Sequence, residues 1–322
     1  MTTILVTGCA GFIGSHTTKA LLKKGYRVIG VDNLNDYYNP KWKQQNLKQF
    51  EHEDNFTFYR LDITHQKDLE KVFKQAQEQE QKIDKIVHLA ARAGVRPSIK
   101  QPLLYEKVNV GGTLNLLELA REYQVPHFIF ASSSSVYGNQ KKVPFSETDP
   151  VNHPVSPYAA TKKAGEMLCY TYAHLYNIKT TCLRFFTVYG PAGRPDMAPY
   201  LFTKAILEGK LINKFGDGTT KRDYTYIDDI VAGILAVVKK QFEFEIFNLG
   251  NNQPVSLNEF IGLLEKITGK KAKINQMGMQ PGDVEITYAD IEKAQKLLGY
   301  EPRTSFKDGL TQFVQWYRMN RL

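Results

Sequence analysis

The 322-residue sequence predicts an α/β fold, a doubly wound parallel sheet followed by a smaller C-terminal domain. Three observations carry this. Five short apolar or β-branched runs alternate with stretches of helical periodicity. The first run enters a glycine-rich turn, and no segment approaches the roughly 18 uninterrupted apolar residues of a membrane helix. Alternation of this kind implies parallel strands, and right-handed crossovers then put helices on both faces of the sheet.

In order, strands are expected at residues 3–7, 27–31, 56–59, 85–89 and 127–131, and helices at 12–24, 67–78, 103–123 and 157–176. The Gln/Glu run at 75–81 reads as the solvated end of a helix. A further strand is expected at 180–188. The stretch 189–200, which holds Gly190, Pro191, Gly193, Pro195 and Pro199, then reads as a long loop. A helix at 228–240 and a strand at 245–249 suggest that the chain returns to the first sheet.

With 42% hydrophobic and 23% charged residues the chain is globular in composition, and its start lacks the features of a secretory leader, so a cytoplasmic protein is expected. Cys9, Cys169 and Cys182 fit neither a disulfide framework nor a zinc site. The seven histidines show no ligand spacing, so no metal is expected. The net charge of +9 is spread in pairs such as Lys23-Lys24 and Lys239-Lys240, a solvated surface and not the concentrated basic face of a nucleic-acid binder.

Gly8, Gly11 and Gly14 form G-x-x-G-x-x-G where the first strand meets the first helix. Gly8 can make the tight turn, Gly11 admits a pyrophosphate to the backbone, and Gly14 lets helix and strand pack closely. About 20 residues on, the second strand ends in Asp32-Asn33, where a carboxylate can bind an adenosine ribose and would repel a ribose phosphate. NAD is therefore expected over NADP. Asp62 and the Leu89-Ala90-Ala91 loop lie at further strand ends; with Phe12, Ile13, Asn33, Ile63 and Asn109 they complete the candidate cofactor contacts.

Tyr158 and Lys162 lie four apart, on one face of a helix beginning near Pro157. An ammonium beside a phenol favours the phenolate and creates a base usable near neutral pH. The serine run 132–135 ends a strand and can place a hydroxyl against a substrate oxygen. A silent NAD-sensing protein would not need the Tyr-Lys pair.

Together these motifs resemble the extended short-chain dehydrogenase/reductase family over essentially the whole chain. The resemblance implies a Rossmann domain at 1–180, rejoined by 222–248, and a nucleotide-sugar-binding domain at 181–221 and 249–322. It places the catalytic serine on Ser133, with Ser134 next, beside Tyr158 and Lys162. Family members often pair through two helices per subunit, which implies a homodimer.

Residues 155–163, 183–191, the Gly193-Arg194-Pro195-Asp196-Met197 loop and 280–284 are similar to UDP-glucuronate 4-epimerases. By that resemblance Thr187 and Arg194 would hold the sugar carboxylate, Arg222 the diphosphate, and Arg96, Ser133 and Asp283 would also touch the UDP-sugar. The implied reaction is transient oxidation at C4 by NAD, rotation of the 4-keto sugar, and return of hydride to its other face. Clamping the carboxylate would oppose decarboxylation of the β-keto acid. Decarboxylases and 4,6-dehydratases of the family typically carry an acid where this chain has Ser134 or Ser135. UDP-glucose and UDP-N-acetylglucosamine 4-epimerases are the alternative. Ala192 stands where Trp is frequent in the uronate enzymes, and Pro97 where Tyr is.

Overall fold

A computed structural model describes residues 1–278 and 285–321. The chain forms two compact units. The first comprises Met1–Gly138, Thr148–Phe185 and Val231–Phe247; the second comprises Asn139–Glu147, Phe186–Ile230 and the chain from residue 248 onward.

The first unit carries β1 (Thr3–Thr7), α1 (Phe12–Lys23), β2 (Arg27–Asp32), α2 (Pro40–Leu47), β3 (Phe56–Arg60), α3 (Gln66–Glu78), β4 (Ile83–His88), α4 (Val95–Lys100), α5 (Pro102–Tyr105), α6 (Gly112–Glu122), β5 (His127–Ser133), α7 (Pro157–Tyr176) and β6 (Lys179–Phe185). The sheet runs β3-β2-β1-β4-β5-β6 and ends on β10 (Phe244–Leu249). All five pairings from β3 to β6 are parallel. Every residue of β1 and β5 is buried, as expected of strands covered on both faces. Leu5, Ile29, Val31, Leu69, Phe73, Leu116 and Phe128 belong to one core cluster. The chain direction across the sheet reverses between β1 and β4, and in folds of this order the carboxyl ends of the strands at that reversal form the ligand crevice.

Local departures from the expected pattern have local causes. The helix expected at 103–123 is α5, a π-helical turn at Glu106–Gly111, and α6. Its apolar spacing continues through the π turn, so periodicity alone reads it as uniform. The polar α2 has no apolar stripe to announce it; Asn39 caps it by accepting the Lys41 N–H at 3.0 Å, with Pro40 in the first turn. The expected strand at 180–188 breaks at Phe186, whose N–H donates to the Leu249 carbonyl at 3.1 Å.

The second unit contains β7 (Thr187–Tyr189), α8 (Ala198–Glu208), β8 (Leu211–Phe215) and β9 (Lys221–Tyr226), and α9 (Ile227–Lys239) begins in it. There follow β11 (Pro254–Ser256), α10 (Leu257–Thr268), β12 (Lys273–Met277), β13 (Ile286–Thr287), α11 (Glu292–Leu298) and α12 (Phe306–Arg321). The loop expected at 189–200 is shorter, because Pro199 sits in the first turn of α8. Strand β9 pairs with β7 and β13 in parallel and with β11 antiparallel. Tyr189, Tyr224, Phe260 and Phe306 pack as an aromatic cluster, with Tyr224 and Phe306 stacked at 4.9 Å.

The compact units divide the chain differently from the expected domain limits. Residues 181–185 stay with the first unit because β6 is in register with β5 as far as Phe185. The return begins at Val231, not at 222, because β9 is the hub of the second unit's sheet. Residues 139–147 join the second unit, where Phe145 bonds through both its main-chain groups to Tyr288 and Asp290.

His127 opens β5 in register with Lys85 on one side and Lys179 on the other. It is fully buried, and neither ring nitrogen has a hydrogen-bond partner. Burial first, then the two lysines, push its pKa down to about 3. His88 is likewise pushed to about 3 by burial and by Lys162. Both histidines are therefore neutral when folded, whereas the unfolded chain protonates them near 6.5. Their stabilisation is complete above that value and is lost as the pH falls toward 3, at about 1.4 kcal/mol per pH unit for each ring. His127→Phe should remove one ring's share of the slope of unfolding free energy between pH 6 and 4. An unchanged slope in urea titrations would show that His127 does not limit acid stability.

Candidate active site

In the first unit the glycine turn has the shape a dinucleotide requires. Gly8 has φ +73°, and a Cβ there would meet Ala90 N at 2.8 Å. A Cβ on Gly14 would collide with the Gly8 carbonyl. The Gly11 N–H donates to the Gly8 carbonyl at 3.0 Å, and no side chain caps the N-terminus of α1. Uncapped N–H groups and the positive helix end therefore face the turn, the arrangement that binds a pyrophosphate. The residues present thus fit NAD. Phe12 is buried and Ile13 half-buried at the start of α1.

Asp32 ends β2, where its carboxylate accepts from Leu34 N (2.8 Å) and Ala10 N (3.2 Å). Burial, the largest influence, raises its pKa, against the opposing pull of Lys43. Lys43 is a residue that sequence reasoning missed. Buried on the otherwise polar α2, it donates to both the carbonyl and the side-chain oxygen of Asn35 at 2.9 Å and lies over the Tyr38 ring. Asp62 accepts from Thr64 N and Oγ1 and from Asn33 Nδ2 (2.7 Å). Burial is the largest single influence and raises its pKa, but these hydrogen bonds together outweigh it and hold the carboxylate below its ordinary value.

Three of the expected cofactor contacts also make contacts within the protein. The Asn33 amide ties the end of β2 to Asp62 and to Asn35. Ile63 is buried, packs against Gly112 and accepts at its carbonyl from Asn115. The Asn109 amide accepts from Arg92 N (2.7 Å) and donates to Arg92 O and Thr161 Oγ1 (both 3.0 Å). Asn109 therefore positions the loop after β4 and the start of α7.

His88 governs the same loop. Thr113 Oγ1 donates to the Asn109 carbonyl at 2.6 Å, so its oxygen accepts from His88 Nε2 at 3.0 Å. Nε2 then carries the ring proton, Nδ1 accepts from Thr7 Oγ1 at 2.7 Å, and Thr7 in turn accepts the Ala90 N–H at 3.2 Å. A single chain of donors thus runs from Ala90 to Asn109. Of the expected loop contacts, Leu89, Ala90 and Ala91 are half-buried beside it.

Tyr158 stands in the first turn of α7, behind Pro157 and the Ser156 cap, which accepts Ala159 N at 3.1 Å. The positive end of a 20-residue helix favours an anionic phenolate there. The Tyr158 ring meets Tyr105 edge-on at 6.3 Å, and the Tyr105 hydroxyl donates to Ala93 O. One turn on, Lys162 is buried, donates to Ala131 O at 2.7 Å and lies over the Phe130 ring. Burial brings its pKa down to about 8, which leaves it charged at neutral pH.

Ser133 ends β5 and caps the short helical turn Ser134–Tyr137, accepting Ser135 N at 3.2 Å. Its hydroxyl also bonds Ser135 Oγ at 3.2 Å; Ser134 is half-buried. Beneath this strand end lies an ion pair that the motifs do not announce. Arg184 forks onto Glu166 through Nε (2.8 Å) and Nη2 (2.9 Å), Ser132 Oγ donates to Glu166 at 2.7 Å, and Arg184 Nη1 donates to the Tyr137 hydroxyl at 3.0 Å. The 158, 162, 166 spacing and a charge inside the apolar run 180–185 were the available signals. Arg96 is exposed on α4.

In the second unit Thr187 is half-buried on β7, in register with Tyr224. Arg222 projects from β9 and donates to Lys221 O. Its neighbour Asp223 is buried and accepts from Asn251 N (2.7 Å), Ala289 N (3.0 Å), Asn252 N (3.1 Å) and the Thr225 hydroxyl. Arg194 lies in the loop before α8 and forks onto Asp196 through Nε (3.0 Å) and Nη2 (2.6 Å). Asp283 falls outside the described residues.

The model of the GDP-mannose 4,6-dehydratase family matches residues 5–313. A UDP-glucuronate 4-epimerase of Thermodesulfobacterium geofontis is 48% identical over 317 residues, covering 98% of this chain and 96% of that protein. Among solved structures, UDP-glucuronic acid 4-epimerase from Bacillus cereus, in complex with UDP-glucuronic acid and NAD, superposes with a TM-score of 0.90 at 40% identity, over 98% of this chain and 99% of that one. A UDP-glucose 4-epimerase from Thermotoga maritima with UDP-glucose gives 0.89 at 36%, with the same coverage of both chains.

Proposed function

Because the chain belongs to the NAD-dependent nucleotide-sugar epimerase and dehydratase family, within the extended short-chain dehydrogenases/reductases, we propose that it interconverts UDP-glucuronate and UDP-galacturonate. The observation that carries the reading is the joint presence of an NAD-shaped turn, a Tyr158-Lys162 pair and a serine-lined strand end without a carboxylate. UDP-glucuronate 4-epimerases matched over nearly the full chain support the same substrate.

The chain's own groups divide the work. NAD, held by the glycine turn and Asp32, would supply the acceptor and donor of the C4 hydride. The Tyr158 phenolate takes the C4 hydroxyl proton and gives it back when the 4-keto sugar is reduced. The Lys162 ammonium supports the phenolate, and Ser133, held by Ser135, donates to the C4 oxygen. Asp32 binds the adenosine ribose, and the N-terminus of α1 binds the pyrophosphate. Arg222 binds the diphosphate of the UDP-sugar, and Thr187 and Arg194 take the C6 carboxylate. A cation and a hydroxyl discriminate that group from a hydroxymethyl.

Incubating purified protein with UDP-glucuronate, without added cofactor, should give UDP-galacturonate by proton NMR with no net NADH. No conversion even with added NAD, beside rapid turnover of UDP-glucose, would transfer the assignment to a neutral-sugar epimerase, the reading that the likeness to the UDP-glucose enzyme favours.

The functional form is a homodimer joined through α7 and the helices before α6. Met167, Tyr170, Leu175 and Tyr176 on α7, and Leu103 on α5, are exposed apolar side chains on the first unit, Leu103 at 82%. Sedimentation of Met167→Glu should show a monomer, and an unchanged sedimentation coefficient would exclude this face. A reducing, cytoplasmic setting suits the three buried cysteines, all free thiols.

A further inference from the structure

We propose that Asp196 is an internal stand-in for the substrate's carboxylate: it occupies the guanidinium edge of Arg194 in the resting protein and is exchanged for the C6 carboxylate when a uronate binds. This rests on the reading that Arg194 contacts the sugar. The two side chains are two residues apart in the loop between β7 and α8, with Pro195 between them. The contact is a fork, Nε to Oδ1 at 3.0 Å and Nη2 to Oδ2 at 2.6 Å. A hexuronate carboxylate is the same planar two-oxygen group and makes the same fork with a guanidinium.

The loop is held by its own backbone, so the exchange needs no refolding. Gly193 N donates to Gly190 O, Met197 N donates to Arg194 O, and Ala192 is held at φ +59°. Both partners remain partly open to solvent, Arg194 at 22% and Asp196 at 40%. Pairs so exposed are weak, so an incoming carboxylate can displace Asp196. The competition nevertheless has a consequence for selectivity. Only a sugar that brings its own carboxylate can replace the one it removes, whereas a hydroxymethyl leaves the Arg194–Asp196 pair intact. Asp196 thus weakens uronate binding and leaves the affinity for neutral sugars unchanged, so the exchange takes back part of the advantage that the guanidinium gives a uronate.

The test is calorimetric binding to the NAD-loaded Tyr158→Phe protein, with and without Asp196→Asn, using UDP-glucuronate, UDP-glucose and UDP as probes. Release of Arg194 should tighten UDP-glucuronate about threefold to fivefold, the scale of an exposed ion pair, and leave UDP-glucose and UDP within about 1.5-fold. Equal tightening of all three probes would mean only that a negative charge had been removed near a diphosphate, and would overturn the proposal. Weaker UDP-glucuronate binding would overturn it too, and would make Asp196 a residue that orients Arg194. Arg194→Ala in the same background separates this from the underlying reading. If it leaves UDP-glucuronate affinity unchanged, Arg194 is not a carboxylate contact and the functional assignment of that residue fails first.

Discussion

Replacing Tyr158 by Phe should lower kcat for UDP-glucuronate by about 10²–10⁴-fold, the usual cost of removing a general acid–base, while NAD content is unchanged. The substitution removes one oxygen and keeps the ring, so the edge contact with Tyr105 and the packing of the first turn of α7 persist. Bound NAD, measured after denaturation, separates a chemical loss from loss of the cofactor site. Turnover within tenfold of the parent would show that another group moves the C4 proton. The alkaline side of the pH profile carries related information. Burial holds the Lys162 pKa at about 8, so its support for the phenolate is present at neutral pH and is lost as the pH rises through that value. The rate should turn down there, and a kcat profile flat to about pH 9.5 would show that Lys162 does not set the alkaline limb.

The second large effect is on stability. Glu166→Gln should destabilise the protein by about 3–5 kcal/mol, because it leaves the Arg184 guanidinium buried without its countercharge. Both side chains are 1% exposed, so water does not replace the lost partner. Burial raises the Glu166 pKa most, but Arg184, Ser132 and Lys163 together more than reverse it, and the carboxylate stays ionised. The pair itself contributes little beyond what well-packed apolar side chains would. The double variant Glu166→Leu with Arg184→Met should therefore recover most of the single variant's loss. Urea unfolding at saturating NAD measures both; a loss below about 1 kcal/mol in the single variant would show that the cluster relaxes around the change. Since Glu166 also accepts from Ser132, directly before Ser133, the single variant should lower kcat as well.

The sequence by itself determined the doubly wound sheet, the glycine turn and the Tyr158-Lys162 pair. Each is local: a strand, a turn or one helical repeat fixes the geometry, and a short stretch of residues declares it. Gly8 shows this directly, since its positive φ and the closeness of Ala90 leave no room for a side chain.

What only the tertiary structure decided is which polar groups remain available to a ligand. Asn33 and Asn109 stand at strand ends and in a helical turn where a cofactor contact is natural, yet their amides close hydrogen bonds within the protein. Lys43, His88, Glu166 and Arg184 carry no motif, and their importance comes from partners 8 to 81 positions away in the chain. The physical reason is desolvation. A buried polar group must be satisfied by whatever the fold brings beside it, and spacing along a sequence does not encode that neighbour. The same holds for Arg194, which the resemblance offered as a carboxylate contact, while the Asp196 carboxylate that it holds was not legible.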